Sequence, residues 1–253
     1  MIKLILHGCN GKMGQAVVSA LAEQEEIEIA AGVDRYPESR VNSFPVYDQL
    51  TLIQEEADVI LDFSVPDALP PLMEYAEKTS LPLVIATTGL SPEDLNMIER
   101  LSQKTAVLRA ANMSLGINLM YELIKKAALV LGDRFDIEIV EKHHNQKIDA
   151  PSGTAYALAD ALNEVLQPAK NFTYGRHSKN NRRSKNEIGI HAIRGGTIAG
   201  EHSVIFAGQD EIIEITHTAH SRKLFALGAM EAVKYMAGKT AGLYTMSDVL
   251  AGR

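Results

Sequence analysis

Ile2-Lys-Leu-Ile-Leu-His-Gly-Cys-Asn-Gly-Lys-Met-Gly14 opens the chain and decides how its first half reads. Residues 2–7 are short and mostly apolar, as a strand buried on both faces would be. The run enters a turn with glycines at 8, 11 and 14 and then a helical pattern, Gln15 to Glu23. Glycines at a strand-to-helix turn let the backbone approach a pyrophosphate held at the helix start. Their spacing is one residue longer than the G-x-G-x-x-G fingerprint. A second strand, 27–33, ends at Asp34, which lies where a dinucleotide fold places the acid that binds a ribose. Strand, turn, helix, strand and acid in register predict a nucleotide site.

Outward from this unit, strand candidates at 58–63, 82–86 and 106–110 alternate with helices. The clearest helix is 92–100, with Ser91 as cap and Pro92 at the first helical position. This pattern predicts a doubly wound parallel sheet of the α/β class, with ligands at the carboxyl edge of its strands. A connecting helix is expected over 118–131. From about 135 the pattern changes. Strand-like runs at 136–141, 187–194, 202–207 and 211–219 follow with one intervening helix, and 207–210 reads as a hairpin turn. The expectation is a second, α+β domain with an open, mostly antiparallel sheet. Such a sheet has edges and a face to cover, which motivates an oligomer. Residues 222–236 return to a helical pattern.

Glu141-Lys-His-His-Asn-Gln-Lys-Ile-Asp-Ala-Pro-Ser-Gly-Thr-Ala155 sits between a strand and a helix in that second part. Two histidines, a lysine and a Ser-Gly-Thr turn crowd the junction. Unpaired N–H groups at a helix start attract carboxylates and phosphates. The combination points to a site for a small acidic substrate. His143 and His144 are adjacent, so on a strand they face opposite ways and do not share a metal easily. No metal site is expected.

At 253 residues the chain holds one large or two modest domains, and 46% hydrophobic with 23% charged residues fits a soluble globular protein. No apolar run reaches a membrane span, and the first run is too short for a signal peptide. One cysteine, Cys9, excludes an internal disulfide and fits a cytoplasmic location. A net charge of −7 argues against nucleic-acid binding. The local exception, 176–186, reads as a solvated basic loop or as a flap over an anion.

The motifs quoted above, with Asp62-Phe63, Thr87-Thr-Gly89, Ala111-Asn112, Gly116-Ile-Asn118, Arg194-Gly-Gly196, Gly200-Glu-His202, Ile215-Thr-His217 and Ser221-Arg222, run in order along nearly the whole chain. Together they resemble the 4-hydroxy-tetrahydrodipicolinate reductase (dihydrodipicolinate reductase) family of the diaminopimelate–lysine pathway. The resemblance implies an NAD(P)H-dependent oxidoreductase that reduces a cyclic dicarboxylate, and a homotetramer. It also implies a discontinuous, Rossmann-like nucleotide domain, 1–114 and 223–253, and a substrate-binding and oligomerisation domain, 115–222. His143 corresponds to the family's proton donor/acceptor and Lys147 to a second donor. His144 carries over as a substrate contact or a tautomer-fixing residue. Ser152, Gly153 and Thr154 carry over as the carboxylate turn, and Ser152 also suits an ordinary N-cap, a role compatible with the first. Arg222 either binds substrate or pairs at a domain seam.

On the cofactor side, Gly8, Cys9, Asn10, Gly11, Lys12 and Met13 correspond to the pyrophosphate turn. Asp34 favours the ribose hydroxyls of NADH, whereas Arg35 and Lys12 suit the 2′-phosphate of NADPH. Ala86, Thr87 and Thr88, and Ala110, Ala111, Asn112 and Met113, correspond to the nicotinamide side. Ala86 replaces the glycine usual in the family and Met113 the commoner phenylalanine. A non-catalytic nucleotide sensor or another two-domain dehydrogenase are the alternatives; neither needs the His143 and Lys147 block.

Overall fold

In the computed structural model, which describes residues 1–252, the opening apolar run is strand β1 (Ile2–His7), with Leu4, Ile5 and Leu6 fully buried. The elements continue as α1 (Lys12–Leu21), β2 (Ile27–Val33), β3 (Val46–Tyr47), β4 (Val59–Asp62), α2 (Leu69–Thr79), β5 (Leu83–Ile85), α3 (Pro92–Ser102) and β6 (Ala106–Arg109). Then come α4 (Leu115–Leu131), β7 (Asp136–His143), α5 (Gly153–Val165), β8 (Asn171–Tyr174), β9 (Glu187–Arg194), β10 (Gly200–Ala207) and β11 (Ile212–Ala219). The chain closes with α6 (Lys223–Met236), β12 (Gly242–Tyr244) and α7 (Met246–Ala251). It divides into two units, Met1–Leu115 with Arg222–Arg253, and Gly116–Ser221.

The first unit is built on a seven-stranded sheet in the order β12-β6-β5-β4-β1-β2-β3, parallel throughout. Successive residues of β1 face opposite ways. Leu4 and Leu6 join α1 and α6 residues such as Val17, Leu21, Met230 and Val233 on one side. Ile5 joins Leu72 and Met73 of α2 and Ile98 and Leu101 of α3 on the other. Covering both faces removes each such aliphatic side chain from water, at about 1.5–3 kcal/mol apiece. The cap foreseen at Ser91 is present as a capping box. Its hydroxyl accepts from the Asp94 amide at 3.1 Å, and the Asp94 carboxylate accepts from the Ser91 amide at 2.8 Å. The strand order reverses at β1, between β2 and β4. The carboxyl ends of these strands, at His7, Val33 and Asp62, therefore frame the crevice where open α/β sheets bind ligands.

The second unit carries a five-stranded sheet in the order β11-β10-β7-β9-β8. β10 runs antiparallel to β11 and β7, but β9 runs parallel to β7 and β8. The sheet is mixed, rather than mostly antiparallel as the sequence suggested. The reason is the connection. A helix, α5, and the short strand β8 lie between β7 and β9, and a crossover of that length returns the chain in the same direction. The hairpin at 207–210 is present, with the Gly208 amide donating to the Glu211 carbonyl at 2.9 Å. β7 alternates strictly. Ile137, Ile139, Glu141 and His143 are buried, and the first two pack with Ile124 of α4 and Leu158 and Leu162 of α5.

The opposite face of β7 presents Glu138, to which the basic loop is fastened. Arg176 reaches both Glu138 oxygens at 2.7 and 2.8 Å, Arg183 donates to it at 2.9 Å and His191 lies at 2.8 Å. Two of the loop's cations are thus spent inside the unit. Burial alone would raise the Glu138 pKa, but Arg176, His191 and Arg183 together hold it at about 2. A depressed carboxylate contributes stability that is complete above its ordinary value and is lost as pH falls toward the folded value. Glu138→Gln is expected to destabilise the protein by about 2–3 kcal/mol at neutral pH. It should also flatten the acid side of the stability curve between pH about 4.5 and about 2. Urea midpoints check both: an unchanged midpoint at neutral pH would contradict the first, and parallel curves for variant and parent across the acid range the second.

Candidate functional site

In the first unit, β1 ends at His7 and the chain turns sharply at Gly8, whose φ is +78°. A Cβ on Gly8 would lie 2.7 Å from the Phe63 carbonyl, and one on Gly14 only 2.3 Å from the Gly8 carbonyl. Both positions need glycine for the turn to close. Gly11 caps α1 without a side-chain acceptor, and the first turn of α1 carries no acid. The helix start therefore keeps its partial positive charge for an external anion. Asp34, just past β2, is braced by the amides of Asn10 and Tyr36, each at 3.0 Å. Gly8, Gly11, Asp34 and Arg35 line one cavity of about 880 Å³ with His7 and Phe63. Arg35 stacks on the Tyr36 ring at 5.8 Å.

The remaining predicted cofactor residues fall into different environments. Lys12 is exposed at the start of α1, and Met13 is half-buried beside it. Asn10 ties the turn to the 36–37 backbone through its side-chain amide at 2.8 and 3.1 Å. Cys9 is fully buried; burial first, and the charge of Asp34 second, push its thiol up to about 12. Ala86 and Thr87 are buried at the end of β5 and Thr88 is exposed. Ala110 and Ala111 follow β6, and Asn112 accepts from the Ser114 amide at 2.9 Å. The Met113 side chain belongs to the core.

Sequence reading gave no role to the buried Asp62, which organises this edge. Asp62 meets His7 Nδ1 at 2.9 Å, accepts from Thr87 Oγ1 at 2.6 Å and accepts from the Ser64 amide at 3.1 Å. It locks the ends of β1, β4 and β5 together. An acid at the last residue of an otherwise apolar strand was the available signal.

In the second unit, Glu141 and His143 are two residues apart on β7 and share its buried face. The Glu141 carboxylate, at zero exposure, meets His143 Nδ1 at 2.6 Å. Arg194 of β9 grips both its oxygens at 2.7 and 2.8 Å, and the Ser152 amide donates to it at 3.0 Å. Burial would raise the Glu141 pKa, but Arg194 and His143 hold it below the usual carboxylate range. His202 of β10, paired opposite Glu141, approaches the His143 ring edge-on with centroids 5.1 Å apart. Burial first, then the charge of His143, lower the His202 pKa to about 4, so it is neutral near pH 7.

Ser152 is the N-cap of α5. Its hydroxyl accepts from the Ala155 amide at 3.2 Å and lies 2.9 Å from His202 Nε2. The cap foreseen for Ser152 is present, and its amide donates to Glu141. Gly153 and Thr154 begin α5. Lys147 pairs with Asp149 at 2.8 Å, which helps hold that carboxyl below its usual range. His144 is half-buried, and its carbonyl receives the Lys147 amide at 3.2 Å. His143, Lys147, Ser152 and Gly153 thus share one loop and helix start, whereas Arg222 belongs to the first unit, where it precedes α6. Among the described residues no group of His, Cys, Asp and Glu is arranged to hold a metal, and no helix is long and apolar enough to cross a membrane. Arg194 and His202 appeared in sequence only as motif positions; their place beside Glu141 follows from strand pairing.

A doubly wound parallel sheet with a glycine turn and acid-tipped β2, together with a unit whose buried histidine stands shortly before a helix start, defines the dinucleotide-dependent oxidoreductase class. The family descriptions "Dihydrodipicolinate reductase, N-terminus" and "Dihydrodipicolinate reductase, C-terminus" match residues 2–113 and 116–250. The chain belongs to the dihydrodipicolinate reductase family. It is 54% identical to the 4-hydroxy-tetrahydrodipicolinate reductase of Caldanaerobacter subterraneus subsp. tengcongensis over 99% of this chain and 98% of that one. It is 48% identical to the enzyme of the same name from Clostridium novyi over the full length of both. Among solved structures, dihydrodipicolinate reductase from Paenisporosarcina sp. TG-14, with dipicolinate bound, superposes with a TM-score of 0.81 at 26% identity, covering 97% of each chain.

Ser152→Ala removes a helix cap and leaves His202 Nε2 without its hydroxyl. It should destabilise the protein by about 2 kcal/mol. Chemical denaturation checks this, and an unchanged midpoint would contradict the cap.

Proposed function

We propose that the protein reduces 4-hydroxy-tetrahydrodipicolinate to tetrahydrodipicolinate with NADH or NADPH, releasing water. The single observation that carries this reading is the second unit's site: a buried histidine held by a buried carboxylate, with a lysine between it and the start of α5, in a chain of this family. When bound, the reduced nicotinamide supplies the hydride. The protein's part is to hold the dicarboxylate, exclude water and deliver a proton where the hydride raises electron density. His143 is the proton donor, since an imidazole can both give and take a proton. Lys147 is a second donor and a cation for the substrate. His144, with the Gly153 and Thr154 end of α5, receives a carboxylate, and Arg222 is a further substrate contact.

Gly8, Gly11 and the start of α1 fit a pyrophosphate, Asp34 fits ribose hydroxyls, and Thr87, Thr88 and the 110–113 segment serve the nicotinamide end. Residues 1–114 with 223–253 act as the nucleotide domain, and 115–222 as the substrate and assembly domain. A homotetramer in the cytoplasm is the working form. Supporting assembly, β11 is an edge strand of the mixed sheet and exposes Ile212 at 68% and Ile213 at 39%.

The direct experiment supplies the condensation product of pyruvate and aspartate semialdehyde and follows nicotinamide absorbance. Turnover is expected, with pyridine-2,6-dicarboxylate competing against substrate. His143→Gln and Lys147→Ala should each lower kcat by about 10²–10⁴-fold while the fold persists. Near-normal turnover in both would remove them from the chemistry.

Cofactor choice follows from opposed charges. Asp34 repels a 2′-phosphate while Arg35 and Lys12 attract it, and exposed pairs are worth only about 0–1 kcal/mol. Both cofactors should therefore work, within about a hundredfold of each other. Neutralising Arg35 and Lys12 together should raise the NADPH KM selectively. An equal rise for NADH would mean that these cations hold the shared pyrophosphate.

A further inference from the structure

We propose that Glu141, held in place by Arg194, is the positioning residue that fixes the tautomer and orientation of His143, so that the ring accepts and delivers its mobile proton at Nε2. This deepens the reading of His143 as proton donor and rests on it.

The geometry leaves the ring one arrangement. Glu141 and His143 project from the same face of β7, and their contact is 2.6 Å at Nδ1. The carboxylate is fully buried, and its other acceptor positions are taken by both Arg194 nitrogens and the Ser152 amide. An ionised carboxylate only accepts hydrogen bonds, so the nitrogen facing it must carry a hydrogen. The neutral ring is therefore the Nδ1–H tautomer with a bare Nε2, and the imidazolium adds its proton at Nε2. On the Nε2 side stands Gly200, where a Cβ would come within 3.1 Å of that nitrogen. The absence of a side chain there keeps the space beside Nε2 open.

The surrounding charges act on this pair from every side. Glu141 favours the imidazolium from β7. Arg194 from β9 and Lys147 from the loop oppose it, and Asp149 offsets Lys147. His202 from β10 and His217 from β11 are both kept toward the neutral form by burial, and α5 presents the uncharged Ser152. Arg194 therefore does two things. It keeps Glu141 an anion, and its two-point grip stops the carboxylate from rotating away from Nδ1.

Glu141→Gln is the informative change. A glutamine still accepts from Arg194 Nη2 and the Ser152 amide through its oxygen, but the end that meets Nδ1, and with it Arg194 Nη1, becomes a donor. The neutral ring must then carry its hydrogen on Nε2, and the imidazolium is opposed by two facing donors. Two measurements on the full-length protein decide the matter. Nitrogen-15 spectra of labelled histidine, assigned with His143→Gln, should show the neutral His143 ring of the parent protonated on Nδ1 and that of Glu141→Gln on Nε2. In the reductase assay, Glu141→Gln should lower kcat by about 10–100-fold. Its KM and its affinity for pyridine-2,6-dicarboxylate should stay within about threefold, and the alkaline limb of its pH–rate profile should move to lower pH. A parent ring that is neutral with hydrogen on Nε2 overturns the proposal, and so does a variant with the parental kcat and pH profile. The parent spectrum, assigned by the signal that His143→Gln removes, needs no turnover and no folded Glu141→Gln. A parent without reductase activity therefore counts against the assigned reaction, while the tautomer still decides the role of Glu141.

Discussion

A carboxylate with no exposure to water must find all its partners within the protein, and Glu141 is such a group. Leaving it unpaired would cost several kcal/mol, so its partners are constrained as strictly as any core contact. Those partners come from three places: the His143 ring on its own strand, the Arg194 guanidinium on the neighbouring strand, and the backbone at the start of α5. Arg194 also donates to the Asp149 carbonyl at 2.6 Å. One ion pair thus fixes the strand end, the loop that carries Lys147 and the helix that follows. The loop is long enough to wander, but both of its ends are tied to the same buried charge.

The first unit repeats the device with different chemistry. Asp62 is equally buried, at the carboxyl end of β4, and joins His7 to Thr87 across three adjacent strands. In each unit the apolar interior of the sheet stops at its edge, and a buried acid takes over there. Hydrophobic packing positions strands to within the slack of side-chain rotamers. Directional bonds to a charge narrow that slack at the end where ligands are handled.

Much of the first unit was legible because local pattern and tertiary environment agree there. β1 and β2 begin and end where the sequence placed them, as β9 does in the second unit, and the Ser91 cap is real. What escaped were short edge strands such as β3, β8 and β12, which carry too few residues for a period to show. The mixed pairing of the second sheet also escaped, since strand direction depends on a crossover that only topology reveals. At the site, His143 and Lys147 were visible from their company. The serine of the same segment is the helix cap that the sequence allowed, and the residues packed against the histidine were not apparent. Glu141 lay in the decisive segment, but its importance depends on burial. Arg194 and His202 lie 53 and 61 positions further along the chain and meet it only through β9 and β10.

Cys9, the one thiol in the chain, lies sealed beneath the glycine turn. Its sulfur sits against Gly32 so closely that a Cβ there would come within 2.7 Å of it. Because its ionisation is pushed so far toward alkaline values, almost none of it is nucleophilic at neutral pH, and alkylating reagents react with the thiolate form. The folded protein is therefore expected to react slowly with such reagents, whereas an opened turn exposes an ordinary thiol. The rate at which the reagent is consumed becomes a clock for local opening of the first unit, built into the native sequence, with no added label and no second cysteine to confuse the reading.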